Sequence, residues 1–332
     1  MKRKLAFLLM LCFGWSFFLN GCGGTLPKTD DRLQVVCTIF PEYDWARQLT
    51  QGVNNVDLTL LVKNGTDLHS YQPSVRDIAM IARADVFCYV GGVSDTWVND
   101  VLDTTENRTA QLVSMAEAAD ADEEVLAEGM QAEHEHEHEH DHHDDESDSH
   151  EEPPELDEHV WLSLRRAALA CTAMKEALCK ADPAHEDIYN QNCTDYLQKL
   201  QELDSDFTEM TSQAARDTIV VADRFPFRYL AEDYGLTYYA AFPGCSAETE
   251  ASFETIVFLS EKVKSLHLPC VLVTEGSNSS LAKTILENAG SDGKILTLQS
   301  LQAVSQKEID AGVTYLSKMQ ENYDVLKQAL NS

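Results

Sequence analysis

Asp157-Glu158-His159-Val160-Trp161-Leu162 marks the point at which the character of this chain changes. Before it lies an acidic, histidine-rich stretch with almost no apolar residue. After it, apolar residues recur at helical spacing as far as Asp182-Pro183. Such spacing predicts an amphipathic helix, and a proline beyond it is a stop signal. We therefore expect a helix over residues 160–182 that divides the chain into two halves.

Both halves alternate strand-like and helix-like segments. In the first half, short apolar, β-branched runs occupy residues 34–39, 56–62, 86–90 and 111–113. In the second half they occupy residues 218–222, 236–242, 270–274 and 294–298. Strands that alternate with helices predict parallel βα units. The expected fold class is α/β, with two lobes, each a four-stranded parallel sheet flanked by helices, joined by a long rigid linking helix.

Two capping-box patterns place helix starts in this scheme. Ser74-x-x-Asp77 predicts a helix that ends near Arg83, and Ser305-x-x-Glu308 predicts a single last helix that ends near Leu330. The lobe boundaries follow from these elements. We expect an N-terminal lobe over residues 32–159, the linking helix over 160–182 and a C-terminal lobe over 183–332.

The N-terminus has the pattern of an export signal. A basic start, Met1-Lys2-Arg3-Lys4, precedes an apolar run over residues 5–19 that is short for a membrane span. Leu19-Asn20-Gly21-Cys22 then resembles the lipobox of bacterial lipoproteins, which implies a signal peptide over 1–21, lipid on Cys22 and a tether over 22–31. The alternative is an uncleaved anchor helix. In either case the body of the protein lies outside the cytoplasm, anchored at the cell membrane.

The composition of the chain limits the kinds of molecule that it can bind. The chain has 332 residues, 44% of them hydrophobic, and a formal net charge of -31. This length suits two domains, and this charge repels nucleic acid and anionic lipid while it favours cations. The cysteines show no C-x-x-C spacing, so one or two disulfides remain open but no zinc ribbon or redox motif is indicated.

The acidic stretch carries alternating Glu and His. We predict that residues 117–156 form a disordered insertion in the N-terminal lobe, because they hold too few apolar residues to fold. Imidazoles beside carboxylates are ligands for Zn²⁺ and its neighbours. The tract is therefore a candidate secondary metal site, formed by His134, His136, His138, His140, His142 and His143.

Ligands of open parallel sheets bind beyond the carboxyl ends of the strands. His69 follows the second predicted strand, and His159 follows the fourth after the insertion. Asp223 and Glu275 follow the first and third strands of the second half. These four residues are our candidate metal ligands, and Zn²⁺ is the first choice and Mn²⁺ the second. Structural roles remain open as alternatives. His69 would then be a surface residue, and the two carboxylates would be partners of the helices that follow them.

Three motifs together resemble those of the zinc/manganese solute-binding lipoproteins of bacterial ABC importers. They are the segments 40–49 (FPEYDWARQL), 65–73 (GTDLHSYQP) and 157–162 (DEHVWL), in the family's order. The long acidic insertion is similar to that of the zinc-type members. The resemblance implies a two-lobed receptor with a rigid linking helix, one bound metal ion and delivery of that ion to a membrane permease.

The chain departs from this family at two expected ligand positions. A gapless comparison puts Arg224 where the third ligand belongs, so Asp223 would have to replace it. Leu298-Gln299-Ser300 stands where the family commonly has an Asp, and Glu275, Glu248 or Glu250 would substitute. If both substitutes fail, a histidine of the insertion could complete the site.

The resulting hypothesis is a monomeric extracytoplasmic receptor that captures Zn²⁺ or Mn²⁺ for an ABC permease. The His-rich tract would raise the local zinc concentration by tethering, or it would sense excess metal. H-E-x-x-H occurs only inside the alternating Glu-His tract, for example at residues 134–138, where no helix is predicted to carry it, and G-x-S-x-G does not occur, so we expect no enzyme. A metal-storage or adhesin lipoprotein is the alternative. With one helix joining the lobes, we expect little lobe movement on metal binding.

Overall fold

The computed structural model describes residues 32–63, 65–105, 109–130, 156–246 and 250–332. The first sheet and its helices comprise β1 Leu33–Cys37, α1 Phe40–Leu49, β2 Val56–Leu60, α2 Val75–Ile81, β3 Val86–Tyr89, α3 Trp97–Thr104, β4 Gln111–Ser114 and α4 Met115–Ala118. Two longer helices follow, α5 Leu164–Ala181 and α6 Glu186–Ser212. The second sheet and its helices comprise β5 Thr218–Phe225, α7 Arg228–Asp233, β6 Thr237–Pro243, α8 Phe253–Ser265, β7 Cys270–Thr274, α9 Ser280–Ala289, β8 Lys294–Leu298, α10 Gln306–Asp310 and α11 Tyr315–Asn331.

Both sheets have the same strand order. The first is β2-β1-β3-β4 and the second β6-β5-β7-β8, and every pair within them is parallel. This confirms the predicted fold class, two lobes that each carry a four-stranded parallel sheet with helices. In each sheet the direction of winding reverses between the first and third of its strands. A crevice opens at the carboxyl ends of strands at such a point.

The predicted strand positions agree with the structure, and two other details differ. β5 continues to Phe225 because Arg224 and Phe225 pair with β6 after a register irregularity. The capping box at Ser305 is present, but the expected last helix is broken into α10 and α11. Gly312 adopts a φ of +91°, which a right-handed helix does not allow, and Thr314 then caps the second piece.

The connection between the sheets consists of two antiparallel helices that pack along each other. α5 lies on β3 and β4 of the first sheet, while α6 contacts α1 and α11. Their buried side chains join a hydrophobic core that runs through both lobes, from Leu33 to Leu330. The expected linking helix over residues 160–182 corresponds to a 3₁₀ turn at Val160–Leu162 followed by α5.

Hydrogen bonds between buried groups hold the lobes together. The backbone N–H of Tyr315 in α11 donates to Asp44 Oδ2 of α1 at 2.7 Å, and the Tyr315 hydroxyl donates to the carbonyl of Trp161 at 2.6 Å. The indole N–H of Trp161 donates to the carbonyl of Ser300 at 2.9 Å. Breaking such bonds without new partners costs about 1–3 kcal/mol for each buried group. The relative position of the lobes is therefore well constrained.

Part of the predicted insertion is built into the fold. The Tyr229 hydroxyl accepts the backbone N–H of Asp122 at 2.9 Å, Lys262 lies 3.3 Å from Glu128, and Glu123 forms an antiparallel bridge with Leu156. Over residues 117–130 the structure therefore differs from the predicted disorder. Partners in the second lobe order this stretch, and its composition does not reveal them.

The remaining predictions concern the His-rich tract, the cysteines and a possible membrane span. Residues 131–155, with His134, His136, His138, His140, His142 and His143, lie outside the described residues, as do Cys22 and Glu248. The described cysteines are free thiols. Within the described ranges no helix has the length and apolar character needed to cross a bilayer.

Candidate metal site between the lobes

A cavity of about 390 Å³ lies where the carboxyl ends of the two sheets face each other. The first lobe contributes the loop after β2, which includes Asp67 and His69. The second contributes Asp223, Gly244 and Glu275. His159 lies beside this cavity, with its ring centroid 5.5 Å from that of His69. The structure thus brings the four sequence-predicted ligand residues to one region, as the rule about strand ends predicts.

His69 is held in a defined position by its surroundings. It sits in a 3₁₀ turn, Leu68–Ser70, that Asp67 caps by accepting the backbone N–H of His69 at 3.1 Å. Its Nδ1 lies 2.8 Å from Ser94 Oγ and 3.2 Å from Glu158 Oε1. The Ser94 hydroxyl donates its single proton to Glu158. It therefore accepts from His69, which places the imidazole proton on Nδ1 and leaves Nε2 with a lone pair.

His159 has the same arrangement and is fully buried. Its Nδ1 lies 2.9 Å from Asp157 Oδ1, which also accepts the His159 backbone N–H at 3.1 Å. Asp157 is fixed in turn by Arg228, whose Nε lies 3.0 Å from Oδ2. Nε2 of His159, on the opposite edge of the ring, is buried and has no hydrogen-bond partner among the described residues. A buried polar atom without a partner calls for an explanation, and for a histidine nitrogen beside a second imidazole a bound ion is a direct one.

Consecutive carboxylates therefore orient both imidazoles. Asp157 holds His159 and Glu158 holds His69, and in each case the ring nitrogen that remains is Nε2. A carboxylate on the second ring nitrogen is the usual partner of a metal-bound histidine, because it fixes the tautomer and the ring orientation. Two glycines make room for this arrangement. A Cβ on Gly92 would lie 2.2 Å from Glu158 Oε2, and one on Gly244 would lie 2.8 Å from His159 Cε1.

The two histidines differ in charge state, and only His69 is held in the neutral form that a metal ion requires. Burial, with the neighbouring charge of His159, lowers the pKa of His69 to about 4, so its imidazole is neutral at pH 7. Burial acts to lower the pKa of His159 as well, but Asp157 and Glu158 outweigh it and raise this pKa above its ordinary value. A divalent cation requires neutral imidazoles and displaces such a proton, so metal binding at this site depends on pH.

The predicted oxygen donors are engaged in hydrogen bonds. Asp223 lies within β5 rather than at a helix start, and its Oδ2 accepts the Thr274 hydroxyl at 2.7 Å, while its Oδ1 accepts the Arg224 N–H at 2.9 Å. Glu275 accepts the Ser300 N–H and hydroxyl, both at 2.6 Å. Burial raises the pKa of Glu275. Both carboxylates retain lone pairs, and Glu275 faces the cavity with a neutral group, Ser300, as its partner.

The sequence analysis missed three residues of this region: Ser94, Glu158 and Cys245. Ligand atoms of His69, Glu158 and Cys245 all lie within 4.8 Å of one another. The signal for two of them was present, since Ser94 follows β3 and Cys245 follows β6. Applying the strand-end rule to every strand would have found both.

Arg224, at the position where the resembling family has a ligand, forms an ion pair across the cleft. Its Nη2 lies 2.9 Å from Asp67 Oδ2 in the loop that carries His69. Arg224 therefore ties the second lobe to the His69 loop, and its positive charge excludes it as a metal ligand.

Two similar parallel sheets around a cleft with paired, carboxylate-held imidazoles define the class of two-lobed metal-binding proteins. The family model described as "Zinc-uptake complex component A periplasmic" matches residues 35–329. The chain belongs to this family.

Two curated relatives illustrate the match. The zinc-binding lipoprotein AdcA of Streptococcus pneumoniae is 32% identical over 328 residues, which cover 99% of this chain and 61% of AdcA. The chain thus spans less than two thirds of that relative. The high-affinity zinc uptake system protein ZnuA of Bacillus subtilis is 30% identical over 329 residues, which cover 98% of this chain and 96% of ZnuA.

Solved structures agree in fold. The Zn(II)-bound ZnuA-like domain of S. pneumoniae AdcA superimposes with a TM-score of 0.69 at 29% identity, over 91% of this chain and 100% of that domain. The periplasmic zinc-binding protein TroA of Treponema pallidum gives 0.71 at 22% identity, over 91% of this chain and 100% of TroA, which supports the fold alone.

Proposed function

We propose that this chain is the extracytoplasmic metal-binding receptor of an ABC importer, which captures Zn²⁺ in the cleft and delivers it to a membrane permease. The observation that carries the proposal is the buried, unpartnered Nε2 of His159 beside the ring of His69. Both imidazoles are held through Nδ1 by carboxylates. This arrangement suits binding of a cation.

The proposed ligand set combines His69 and His159 from the first lobe with carboxylate donors from Asp223 and Glu275 of the second. Imidazole and carboxylate together suit Zn²⁺, and Mn²⁺ is the alternative cargo. The negative charge of the chain favours cation capture over longer distances.

The remaining parts of the proposal concern the cell. Lipid on Cys22 would hold the receptor at the outer face of the membrane near its permease, and the receptor would act as a monomer. The histidines of the tract, His134 to His143, would collect zinc weakly and raise its concentration near the cleft, or they would sense excess metal.

The test is a metal titration of the full chain and of a variant that lacks residues 131–155. Zn²⁺ and Mn²⁺ would each be titrated in competition with a chelator of known affinity. The deletion stops at residue 131 because residues 117–130 contact the second lobe. One tight ion that survives the deletion supports a receptor. Loss of all tight binding with the deletion would contradict the proposal and favour metal storage.

Matched point variants locate the ion. His159→Ala should abolish tight binding, whereas His267→Asn should leave it unchanged, because His267 lies in the turn after α8 and does not line the cavity. Asn is the suitable replacement there, since His267 has a φ of +50° and Asn tolerates this conformation. Tight binding that persists in His159→Ala would refute the cleft site.

A further inference from the structure

Cys245 has a metal-binding side chain at this cleft that the proposed ligand set does not use. Gly244 separates Cys245 from the end of β6. A Cβ on Gly244 would lie against the His159 ring. Its thiol, Glu158 and His69 each offer a ligand atom within 4.8 Å of the others. The Cys245 backbone is fixed by a hydrogen bond from its N–H to Glu124 Oε1 at 3.2 Å.

A second observation shows that this corner of the cleft lacks a ligand. His159 is fully buried, its Nδ1 is taken by Asp157, and its Nε2 has no partner among the described residues. The His159 ring lies between that of His69 and Gly244, the neighbour of Cys245. A site that used only His69 and His159 would leave a divalent ion with too few donors.

The carboxylate of Asp223, the other candidate from the second lobe, is already engaged in hydrogen bonds. Asp223 Oδ2 bridges to β7 through the hydroxyl of Thr274 at 2.7 Å and its backbone N–H at 3.3 Å. Asp223 Oδ1 accepts the Arg224 N–H. Moving this carboxylate onto an ion would weaken two hydrogen bonds between β5 and β7 and one within β5. Turning the Cys245 side chain toward an ion gives up one hydrogen bond, with the backbone of Glu158.

We infer that Cys245 supplies a sulfur donor to the metal ion, so that the second lobe contributes thiolate together with Glu275. The inference rests on the proposed function and gives Cys245 the place in the ligand set that was proposed there for Asp223. It also narrows the cargo, because thiolate favours borderline and soft ions such as Zn²⁺ over Mn²⁺, which prefers oxygen.

The spacing between His69 and Cys245 is compatible with donors to one ion. With Zn–S of about 2.3 Å and Zn–N of about 2.0 Å, neighbouring donors of a tetrahedral site stand roughly 3.5 Å apart. Ligand atoms of His69 and Cys245 lie within 4.8 Å of each other, so an approach of at most about 1.3 Å, by side-chain rotation, brings them to that spacing.

Coordination replaces the thiol proton. Without metal, burial and the charges of Glu158, Glu124 and Asp157 raise the pKa of Cys245. A divalent cation reverses this balance, and a coordinating thiol is deprotonated. The Sγ–H bond breaks as the Sγ–metal bond forms, and the proton leaves to solvent.

The test is Co²⁺ substitution of the full chain, because sulfur bound to Co²⁺ gives an intense charge-transfer band in the near ultraviolet that oxygen and nitrogen donors do not give. The variant is Cys245→Ser, and the matched control is Cys179→Ser, at a partly buried free thiol in α5. Zinc affinity would be measured on the same proteins by chelator competition.

We expect the sulfur band in the wild type and in Cys179→Ser, and its loss in Cys245→Ser. Zinc affinity should fall at least about tenfold in Cys245→Ser, since removing even an indirect partner of a ligand costs that much, while Mn²⁺ affinity should change less. Because the band is read in the wild type, it does not depend on a variant folding.

Three outcomes would overturn the inference, and they differ in whether they also overturn the proposed function. One tight Co²⁺ ion without a sulfur band excludes Cys245 and leaves the proposed function standing. The absence of any tight ion removes both the inference and the receptor proposal. A band that persists in Cys245→Ser assigns the sulfur to another cysteine and also overturns the inference.

Discussion

Gly244→Ala is a sharp test of the site, because it changes no ligand and no charge. A Cβ at residue 244 would lie 2.8 Å from His159 Cε1, 2.9 Å from His159 Nδ1 and 3.2 Å from the carbonyl oxygen of Phe225. The His159 ring cannot easily move away, since it is fully buried and bound to Asp157 on the same edge. Gly244 has no positive φ, so alanine meets steric conflict there without backbone strain.

The size of the effect follows from these distances. Inserting a methyl group into a packed site costs about 1–3 kcal/mol of unfolding free energy. Relief of the overlap must displace His159 from Asp157, and loss of such an orienting contact lowers metal affinity by about 10–100-fold. Denaturant unfolding of the metal-free protein measures the first effect, and chelator competition with Zn²⁺ measures the second.

Gly293→Ala is the matched control. Its added Cβ would lie 2.9 Å from the carbonyl oxygen of Pro269 and 3.0 Å from Leu286 Cδ2, at the start of β8 and away from the strand ends that form the cleft. We expect a similar loss of stability with unchanged zinc affinity. Equal zinc affinity in Gly244→Ala and the wild type would refute the assignment of His159 as an oriented ligand.

Three further predictions concern stability and motion. First, the side chains of the Arg224–Asp67 ion pair are each about one-third exposed (33% and 37%). A double-mutant cycle with Arg224→Gln and Asp67→Asn should therefore give a coupling free energy below about 1 kcal/mol. A larger value would contradict the assignment of this pair as a solvent-screened ion pair. Second, burial and the charge of Asp95 raise the pKa of Glu42 from 4.5 to about 8, so the folded state retains a proton that the unfolded state releases. The unfolding free energy of the metal-free protein should therefore fall as the pH rises through this window, as measured at pH values of about 5 and about 8, and Glu42→Gln should flatten that slope; an unchanged slope would contradict it. Third, solution scattering should show almost no change in radius of gyration on adding Zn²⁺, because buried hydrogen bonds join the lobes; a marked compaction would disprove a rigid connection.

The fold was largely predictable because hydrophobic patterning and helix capping act locally. β7 and β8 have the bounds that their apolar runs predict, and the capping box at Ser74 starts a helix as expected. The errors arise where tertiary pairing overrides local pattern. β5 extends past Ala222 because β6 supplies a partner for Arg224 and Phe225, and no pattern within β5 reports that partner.

The candidate site was also predictable in part, for a reason that concerns topology. The position of a residue after a strand depends on topology, so His69, Asp223 and Glu275 fall at one cleft without any knowledge of side-chain contacts. The partners of these groups are not encoded in this way. That Asp223 faces Thr274, and that Ser94 links His69 to Glu158, follows from packing between strands and loops that are distant in sequence.

The segment Asp157-Glu158-His159 combines a ligand position that topology sets with side-chain contacts that packing sets. Asp157 orients His159 while its other oxygen binds Arg228 of the second lobe, and Glu158 orients His69 of the first. The geometry of the His159 imidazole thus depends on how closely the lobes approach. A movement that separated Arg228 from Asp157 would free the His159 ring and weaken the site without touching a ligand. Tight capture and later release of an ion can therefore depend on one residue, because Asp157 both orients His159 and contacts Arg228 of the second lobe.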